Sequence, residues 1–281
     1  MTKTVLITGC SSGVGKSTAR FFAAQGWNVV ATMRSPQPEL ADENPERILV
    51  MALDVSDQAS VGAAIEAGIA RFGKIDVVIN NAGITMVSIF EATPRKAARQ
   101  IFETNVFGVM NVIREATPHL RKQGGGTIVN VTSGVGFMAV PLLSLYVASK
   151  HAVEGLSESL SYELESQNIR IRMVEPGAIR STNFAASGMA LSQQIPVPEN
   201  YKAYFDHALQ SMIDYPFDST EEQAVVETIF QAATDASGRL RYVVGPDVEE
   251  YARLRWSTSE DEYRAEMSRL TGQDAWRERS V

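Results

Sequence analysis

The chain is short of the residues that cross-link or metallate a small fold. Its 281 residues hold a single cysteine, Cys10, which excludes an intrachain disulfide and suits a reducing environment. Three histidines, His119, His151 and His207, lie far apart and form no Cys/His cluster, so a structural zinc site is not expected. No apolar run reaches the roughly 18 residues of a membrane-spanning helix. The N-terminus runs from Met1-Thr2-Lys3 straight into Thr4-Val5-Leu6-Ile7, without the pattern of a secretory signal, and the expected compartment is the cytoplasm. Positive charge is also scarce. A formal net charge of −7 weighs against nucleic acid or an anionic membrane as a main partner, while leaving room for a local basic pocket that takes one phosphate. Internal repeats, low-complexity tracts and interdomain linkers are missing as well.

What is present suffices for one large α/β core, since 44% of the residues are hydrophobic. Short runs rich in Val, Ile and Leu alternate with longer amphipathic stretches, the pattern of a parallel sheet covered by helices. Strands are predicted at Thr4–Thr8, Asn28–Met33, Ile48–Leu53, Val77–Asn80, Thr127–Thr132, Arg170–Glu175 and Tyr242–Val244. Helices are predicted near Gly15–Gln25, Gln58–Phe72, Arg95–Lys122, Ser149–Ser166, Glu221–Ala233 and Val248–Leu270, the third bent or capped around Pro118. Right-handed crossovers then give a doubly wound, seven-stranded parallel sheet in a single domain over residues 1–281. Two segments break the rhythm. Ser181–Thr220 mixes small residues, prolines and aromatics without a clean period, and reads as a lid over a site. A helical extension covers about 247–281, and its charge-dense part from Trp256 reads as a solvated helix with a frayed end.

Directly after the first strand comes Thr8-Gly9-Cys10-Ser11-Ser12-Gly13-Val14-Gly15, and then a helix. Glycines at such a turn permit backbone geometry closed to other residues, and let a pyrophosphate approach the free amides and positive dipole end of the helix. The spacing Gly-x-x-x-Gly-x-Gly departs both from Gly-x-Gly-x-x-Gly and from the Gly-Lys-Ser/Thr of a triphosphate loop. The second strand ends Ala31-Thr32-Met33-Arg34-Ser35, without the acid that would hold the ribose hydroxyls of NAD. Arg34 can instead pair with a 2′-phosphate, with Ser35 or Ser11 adding hydroxyl contacts; the alternative is an arginine pointing into solvent. NADP(H) is therefore the expected cofactor and NAD(H) the second choice. Asp54-Val55 ends the third strand and Asn80-Asn81-Ala82-Gly83 the fourth, at the carboxyl ends where ligands of such sheets collect. Asp54 suits an adenine amino group and Ala82-Gly83 a close passage to a ribose, although either can be a plain turn signal. Tyr146 and Lys150 lie four apart at the start of a helix, hence on one face. An ammonium near a phenol favours phenolate, so Lys150 is expected to lower the Tyr146 pKa from about 10. Taken alone, that spacing is common on solvated helix faces.

In this order, the glycine turn, Asp54-Val55, Asn80-Asn81-Ala82-Gly83, Asn105, Ser133, Tyr146-x-x-x-Lys150 and Pro176-Gly177 resemble the short-chain dehydrogenases and reductases, over Thr4 to about Thr182. The resemblance implies a Rossmann fold and an NADP(H)-dependent oxidoreductase that interconverts a carbonyl and a secondary alcohol. It implies that Tyr146 protonates the carbonyl oxygen, that Ser133 orients it, and that Lys150 lowers the Tyr146 pKa and binds the nicotinamide ribose. Asn105 would anchor a water relaying protons from Lys150 to solvent. Gly9, Ser11, Ser12, Gly13, Val14, Gly15, Arg34, Ser35, Asp54, Val55, Asn81, Ala82 and Gly83 would line the cofactor, with Pro176-Gly177 packing on the nicotinamide, Ile179 holding its carboxamide and Thr182 near the phosphates. Homodimers or homotetramers are usual in the family, and the helices at Arg95–Lys122 and Ser149–Ser166 resemble its dimer-forming pair. Gly134-Val135-Gly136-Phe137-Met138 replaces a more polar run and, with Leu142, Leu143 and Leu145, gives either an apolar wall at the reacting carbon or loop core. An apolar ketone or aldehyde, up to steroid- or retinoid-like, is the expected substrate. The second reading is an NADP-binding regulatory protein without turnover, and the third a non-redox epimerase or dehydratase.

Overall fold

The computed structural model describes residues 2–279. Among the described residues, seven strands, β1 (Thr4–Thr8), β2 (Asn28–Met33), β3 (Ile48–Ala52), β4 (Val77–Asn80), β5 (Gly126–Val131), β6 (Ile169–Pro176) and β7 (Arg241–Val244), form one sheet in the order β3-β2-β1-β4-β5-β6-β7. Every pairing is parallel. The strand order reverses between β1 and β4, and crevices at such a reversal open above the carboxyl ends of the strands.

Alternation along β1 shows how the chain builds both faces. Val5 and Ile7 enter one core cluster, with Phe22 of α1 (Gly13–Ala24) and Val225 and Ile229 of α9 (Glu222–Thr234). Leu6 enters the other, with Val61 and Ile65 of α3 (Gln58–Phe72), Val112 and Ile113 of α5 (Gly108–Lys122) and Val153 of α6 (Ser144–Glu165). The strands are therefore buried on both sides, which accounts for their nearly unbroken apolar runs.

Several elements differ from the sequence reading. A short helix, α2 (Glu39–Asp42), follows β2. The stretch expected as one helix bent at Pro118 is α4 (Arg95–Phe102) and α5, joined by a π-helical turn at Glu103–Phe107. Pro118 lies inside α5, which runs on to Lys122. The segment expected as an irregular lid carries α7 (Asn183–Ser192) and α8 (Lys202–Ile213). Finally, the expected 248–270 helix is divided into α10 (Pro246–Ser257) and α11 (Glu260–Leu270), because Ser259 starts a new helix with a capping box to Glu262.

The tail is less solvated than its charge suggests. Tyr263, Met267 and Leu270 of α11 are buried in a cluster with Tyr251, Val135 and Tyr146. Within α12 (Gln273–Arg279), the Trp276 ring lies 5.4 Å from Tyr204 and 5.5 Å from His207, both on α8. The His207 imidazole nitrogen Nε2 is 2.7 Å from the Gly272 carbonyl oxygen, and the Tyr204 hydroxyl donates to Gln273 Oε1 at 3.2 Å.

A buried polar chain ties the sheet to α6. Asn80 Nδ2 donates to Asn130 Oδ1 at 2.8 Å, Asn130 Nδ2 to Ser157 Oγ at 2.8 Å, and Ser157 Oγ to the Val153 carbonyl at 2.6 Å. Asn130 and Ser157 are fully buried, so removing the middle member strands a donor and an acceptor where water does not reach. We expect Asn130→Ala to lower the unfolding free energy by about 2–4 kcal/mol in urea titrations; a loss under about 0.5 kcal/mol would contradict this role.

Candidate active site

The glycine turn sits where β1, α1 and β4 meet. Gly9 has φ 77° and Gly13 φ 52°, the left-handed region that favours glycine. Gly15 packs so closely on the Gly9 carbonyl and the Asn81 amide that a Cβ there would collide with both. Asn81 Nδ2 donates to the carbonyls of Thr8 at 2.9 Å and Gly9 at 3.3 Å, while Thr8 Oγ1 accepts from the Asn81 and Ala82 amides, each at 3.0 Å. Asn81 thus holds the turn in shape. At the start of α1, Ser12 makes no side-chain cap and the first turn carries no acid, so the amides and the positive helix end face an open cavity.

That cavity holds about 1120 Å³ and runs from Gly9, Ser11, Ser12, Gly13, Val14 and Gly15 past Arg34, Asp54 and Val55 to Asn81, Ala82 and Gly83. It continues along Ser133, Tyr146 and Lys150 to Pro176, Gly177, Ile179 and Thr182. Ser35 stands outside this lining and is exposed, because the chain leaves the cavity as β2 ends. Arg34 has no ion-pair or hydrogen-bond partner among the described residues, beyond the attraction it exerts on Asp54. Asp54 Oδ1 accepts from the Ser56 hydroxyl at 2.7 Å and the Ser56 amide at 2.9 Å. These bonds, together with Arg34, hold its carboxyl below the usual range. An uncapped helix end, left-handed glycines and a free arginine at one end of a long cavity fit a dinucleotide with its phosphates at the turn.

At the other end, Tyr146 lies in the first turn of α6, which starts five residues earlier than expected, and Lys150 follows one turn on. Both are buried, and Lys150 Nζ lies 5.7 Å from the Tyr146 ring centre. The Ser133 hydroxyl, two residues beyond β5, lies close enough to the Tyr146 phenol to lower its pKa, and it donates to the Pro176 carbonyl at 3.5 Å. Its neighbour Thr132 also borders the cavity, but it is buried and donates to the Val174 carbonyl at 3.2 Å. The expected lowering of the Tyr146 pKa is not found. Burial pushes the phenol up to about 12, and Ser133 only partly offsets it. Burial instead brings Lys150 down to about 8, against the pull of Glu154, and Nζ donates to the Val131 carbonyl at 3.0 Å.

Asn105 lies on the π-turn, buried and outside the cavity lining. Its Oδ1 accepts from the Ile84 amide at 2.9 Å, and its Nδ2 donates to the Ile84 carbonyl at 2.8 Å and to Ser149 Oγ at 3.0 Å. The side chain thereby fixes the segment after β4 that carries Gly83 and Ile84. A Cβ built on Gly83 would stand 3.5 Å from Asn105 Oδ1 and 3.9 Å from Lys150 Nζ, so these residues converge there.

The apolar run after Ser133 divides between the two readings. Val135, Met138 and Leu143 line the cavity, whereas Phe137 and Leu142 are buried outside its lining and Leu145 packs in a separate cluster. The lid adds Phe184, whose ring lies 6.0 Å from that of Tyr146, with Met189, Leu209, Met212 and Tyr215. One residue escaped the sequence reading altogether. Asp247, nearly fully buried near the start of α10, accepts from the Ala178 amide at 3.2 Å and thus fixes the Pro176–Ile179 segment. The only sequence signal for it is an acid just after Gly245-Pro246 at the end of a strand.

Comparison with known proteins gives this cavity its context. The family model described as short chain dehydrogenase matches residues 3–190. The chain belongs to the short-chain dehydrogenase/reductase family and is an oxidoreductase of that type. It is 36% identical to the uncharacterized oxidoreductase YusZ of Bacillus subtilis, over 88% of this chain and 90% of that one. It is also 36% identical to the 3-oxoacyl-[acyl-carrier-protein] reductase FabG of Staphylococcus aureus, over 69% and 82% respectively. A short-chain dehydrogenase structure from Streptomyces avermitilis superposes with a TM-score of 0.77 at 30% identity, covering 99% of this chain and 98% of that one. Other solved neighbours hold NADP, NADH or NAD, which supports a nicotinamide cofactor here.

The depressed Lys150 pKa carries a stability consequence. Between about 8 and 10.5 the unfolded chain binds a proton that the folded chain has lost, so burial of this amine costs stability below pH 8 and the cost fades as pH rises to 10.5. We expect Lys150→Met to be about 2 kcal/mol more stable than the parent at pH 7, after allowing for the lost bond to Val131. The gain should vanish near pH 10.5. Urea titrations at the two pH values check it, and a variant less stable at pH 7 would refute it.

Proposed function

We propose that the protein is an NADP(H)-dependent carbonyl reductase and alcohol dehydrogenase acting on an apolar ketone or aldehyde. The observation that carries this reading is the placement of the Tyr146 phenol, the Ser133 hydroxyl and Lys150 along one cavity that opens on the glycine turn. The nicotinamide, when bound, supplies the hydride that the carbonyl carbon takes up. Charge then develops on the carbonyl oxygen, and a buried neutral phenol is the donor such an oxygen needs. Tyr146, with its pKa near 12, is that phenol through the neutral range. Ser133 hydrogen-bonds the same oxygen and orients it. Lys150, cationic below about pH 8, stabilises the phenolate that Tyr146 becomes and holds the ribose hydroxyls.

Val135, Met138, Leu143, Phe184, Met189, Leu209, Met212 and Tyr215 support an apolar substrate, and the 3-oxoacyl group in the name of the FabG relative supports a ketone. α7 and α8 form the lid that excludes water from the reacting carbon. Gly9, Ser11, Ser12, Gly13, Val14 and Gly15 take the pyrophosphate, Arg34 the 2′-phosphate, and Asp54 the adenine amino group. Exposed Phe107 and Tyr162, on the π-turn before α5 and on α6, support a homo-oligomer built through these helices.

Two measurements bear on this reading. Tyr146→Phe should bind NADPH with unchanged affinity and lose turnover of an apolar ketone by about a thousandfold or more; near-normal turnover would sink the mechanism. Arg34→Asp should weaken NADPH binding by about tenfold to a hundredfold and leave NADH within about threefold, since a bidentate phosphate pair contributes about 1.5–3 kcal/mol. Equal effects on both nucleotides would remove Arg34 from the phosphate.

A further inference from the structure

One turn beyond Lys150 lies a second ionisable cluster, whose two buried acids stand outside the cavity lining. Glu154 on α6 is 4% exposed and Glu175 on β6 is 0% exposed. Arg241, which opens β7 beside Met173 of β6, reaches both acids. Its Nη1 lies 2.8 Å from Glu154 Oε2 and 3.5 Å from Glu175 Oε1, while its Nη2 takes the more exposed Glu158 at 3.0 Å. One guanidinium therefore serves two buried acids and a third at the rim.

The hydrogen bonds do not balance if both buried acids are ionised. Glu154 Oε1 and Glu175 Oε2 are each sealed from solvent without a donor. The Thr132 hydroxyl lies within reach of Glu154 but is engaged with the Val174 carbonyl. The two carboxyl groups are themselves in hydrogen-bond contact. Two carboxylates cannot satisfy one another, because neither has a proton to donate, whereas one acid and one carboxylate can.

We propose that Glu154 and Glu175 share a single proton, and that the one negative charge left on the pair makes Glu154 a positioning residue that keeps Lys150 cationic. The charges facing the pair are Lys150 and Glu158 from α6, Arg241 from β7 and Arg239 just before it. Burial and the mutual repulsion of the acids raise Glu175 to about 9, which places the proton on Glu175 and the charge on Glu154, the member nearer Lys150. Among these groups, Glu154 is the anion that opposes the loss of the Lys150 proton on burial. The inference concerns the ionisation of these side chains, and its test does not depend on the substrate or reaction assigned above.

The folded state then holds a proton that an unfolded glutamate, titrating near 4.5, has released. The sign follows: stability falls as pH rises from about 5 towards 9. Lys150 adds no slope below about pH 8, where it is protonated in both states. For the full chain we expect the folding constant to drop about tenfold per pH unit between pH 5.5 and 7.5, relative to Glu175→Gln measured in parallel. Glutamine mimics the neutral acid and removes the proton-linked term. NMR of chain labelled with 13C at the glutamate Cδ should show one carboxyl that titrates above pH 8 and is missing from Glu175→Gln. With label at the lysine Cε, the Lys150 midpoint should fall by about one pH unit or more in Glu154→Gln and stay in place in the rim control Glu158→Gln. The absence of any glutamate titrating above about pH 6 would overturn the shared proton. An unmoved Lys150 midpoint in folded Glu154→Gln would overturn the positioning role.

Discussion

The fold and the cavity both depend on the close approach of Gly15 to the Gly9 carbonyl, with the Asn81 amide bridging from the end of β4. No side chain fits between α1 and β1 at that point, so the helix enters the sheet at the switch in strand order with its first amides uncovered. Had a Cβ stood at Gly15, α1 would lie farther out and the helix end could not serve the cavity floor. The hydroxyl of Thr8 and the amide of Asn81 complete this clasp without drawing on the helix amides themselves. Folding and ligand recognition thus rest on the same few ångströms.

At the opposite end of the cavity, burial decides the electrostatics. Residue spacing brings an ammonium beside a phenol, and from spacing alone the ammonium lowers the phenol pKa. Once both are enclosed, desolvation outweighs what Ser133 returns to the phenol and Glu154 to the ammonium, and Tyr146 rises while Lys150 falls. The result is a neutral acid beside a cation that is readily deprotonated. Glu154, sealed under the same helix, stands between Lys150 and full neutralisation.

How much could be read from the chain follows from these physical terms. β1, β2 and β4 fall where their β-branched runs place them, because a strand buried on both faces announces itself without interruption. The glycine turn, Asp54, Asn81, Tyr146, Lys150 and Ser133 come together in the cavity as their order along the sheet implied. Ser35 does not, because two residues beyond the strand end are enough for the backbone to turn away. In the 95–122 stretch the sequence points to a bend at Pro118, while the ladder opens at the π-turn around Asn105, whose side chain is drawn to Ile84. Tyr204, Phe205, Ala208, Leu209 and Met212 do carry the spacing of an amphipathic helix, but flanking prolines and the mixed composition of the segment obscured it. Glu154 and Asp247 were invisible for a different reason: an acid in sequence reads as surface, and only packing shows it enclosed.

The clasp of α12 on α8 ties the cavity to the order in which the chain is made. Tyr204 and His207 of the lid are braced by Gln273, Gly272 and Trp276, and the same α8 presents Leu209 and Met212 to the cavity. On the ribosome, the glycine turn, Tyr146 and Lys150 emerge and can assemble long before Gly272 and Trp276 are added. For that interval α8, and with it Leu209 and Met212, lacks the contacts that Gly272, Gln273 and Trp276 later supply.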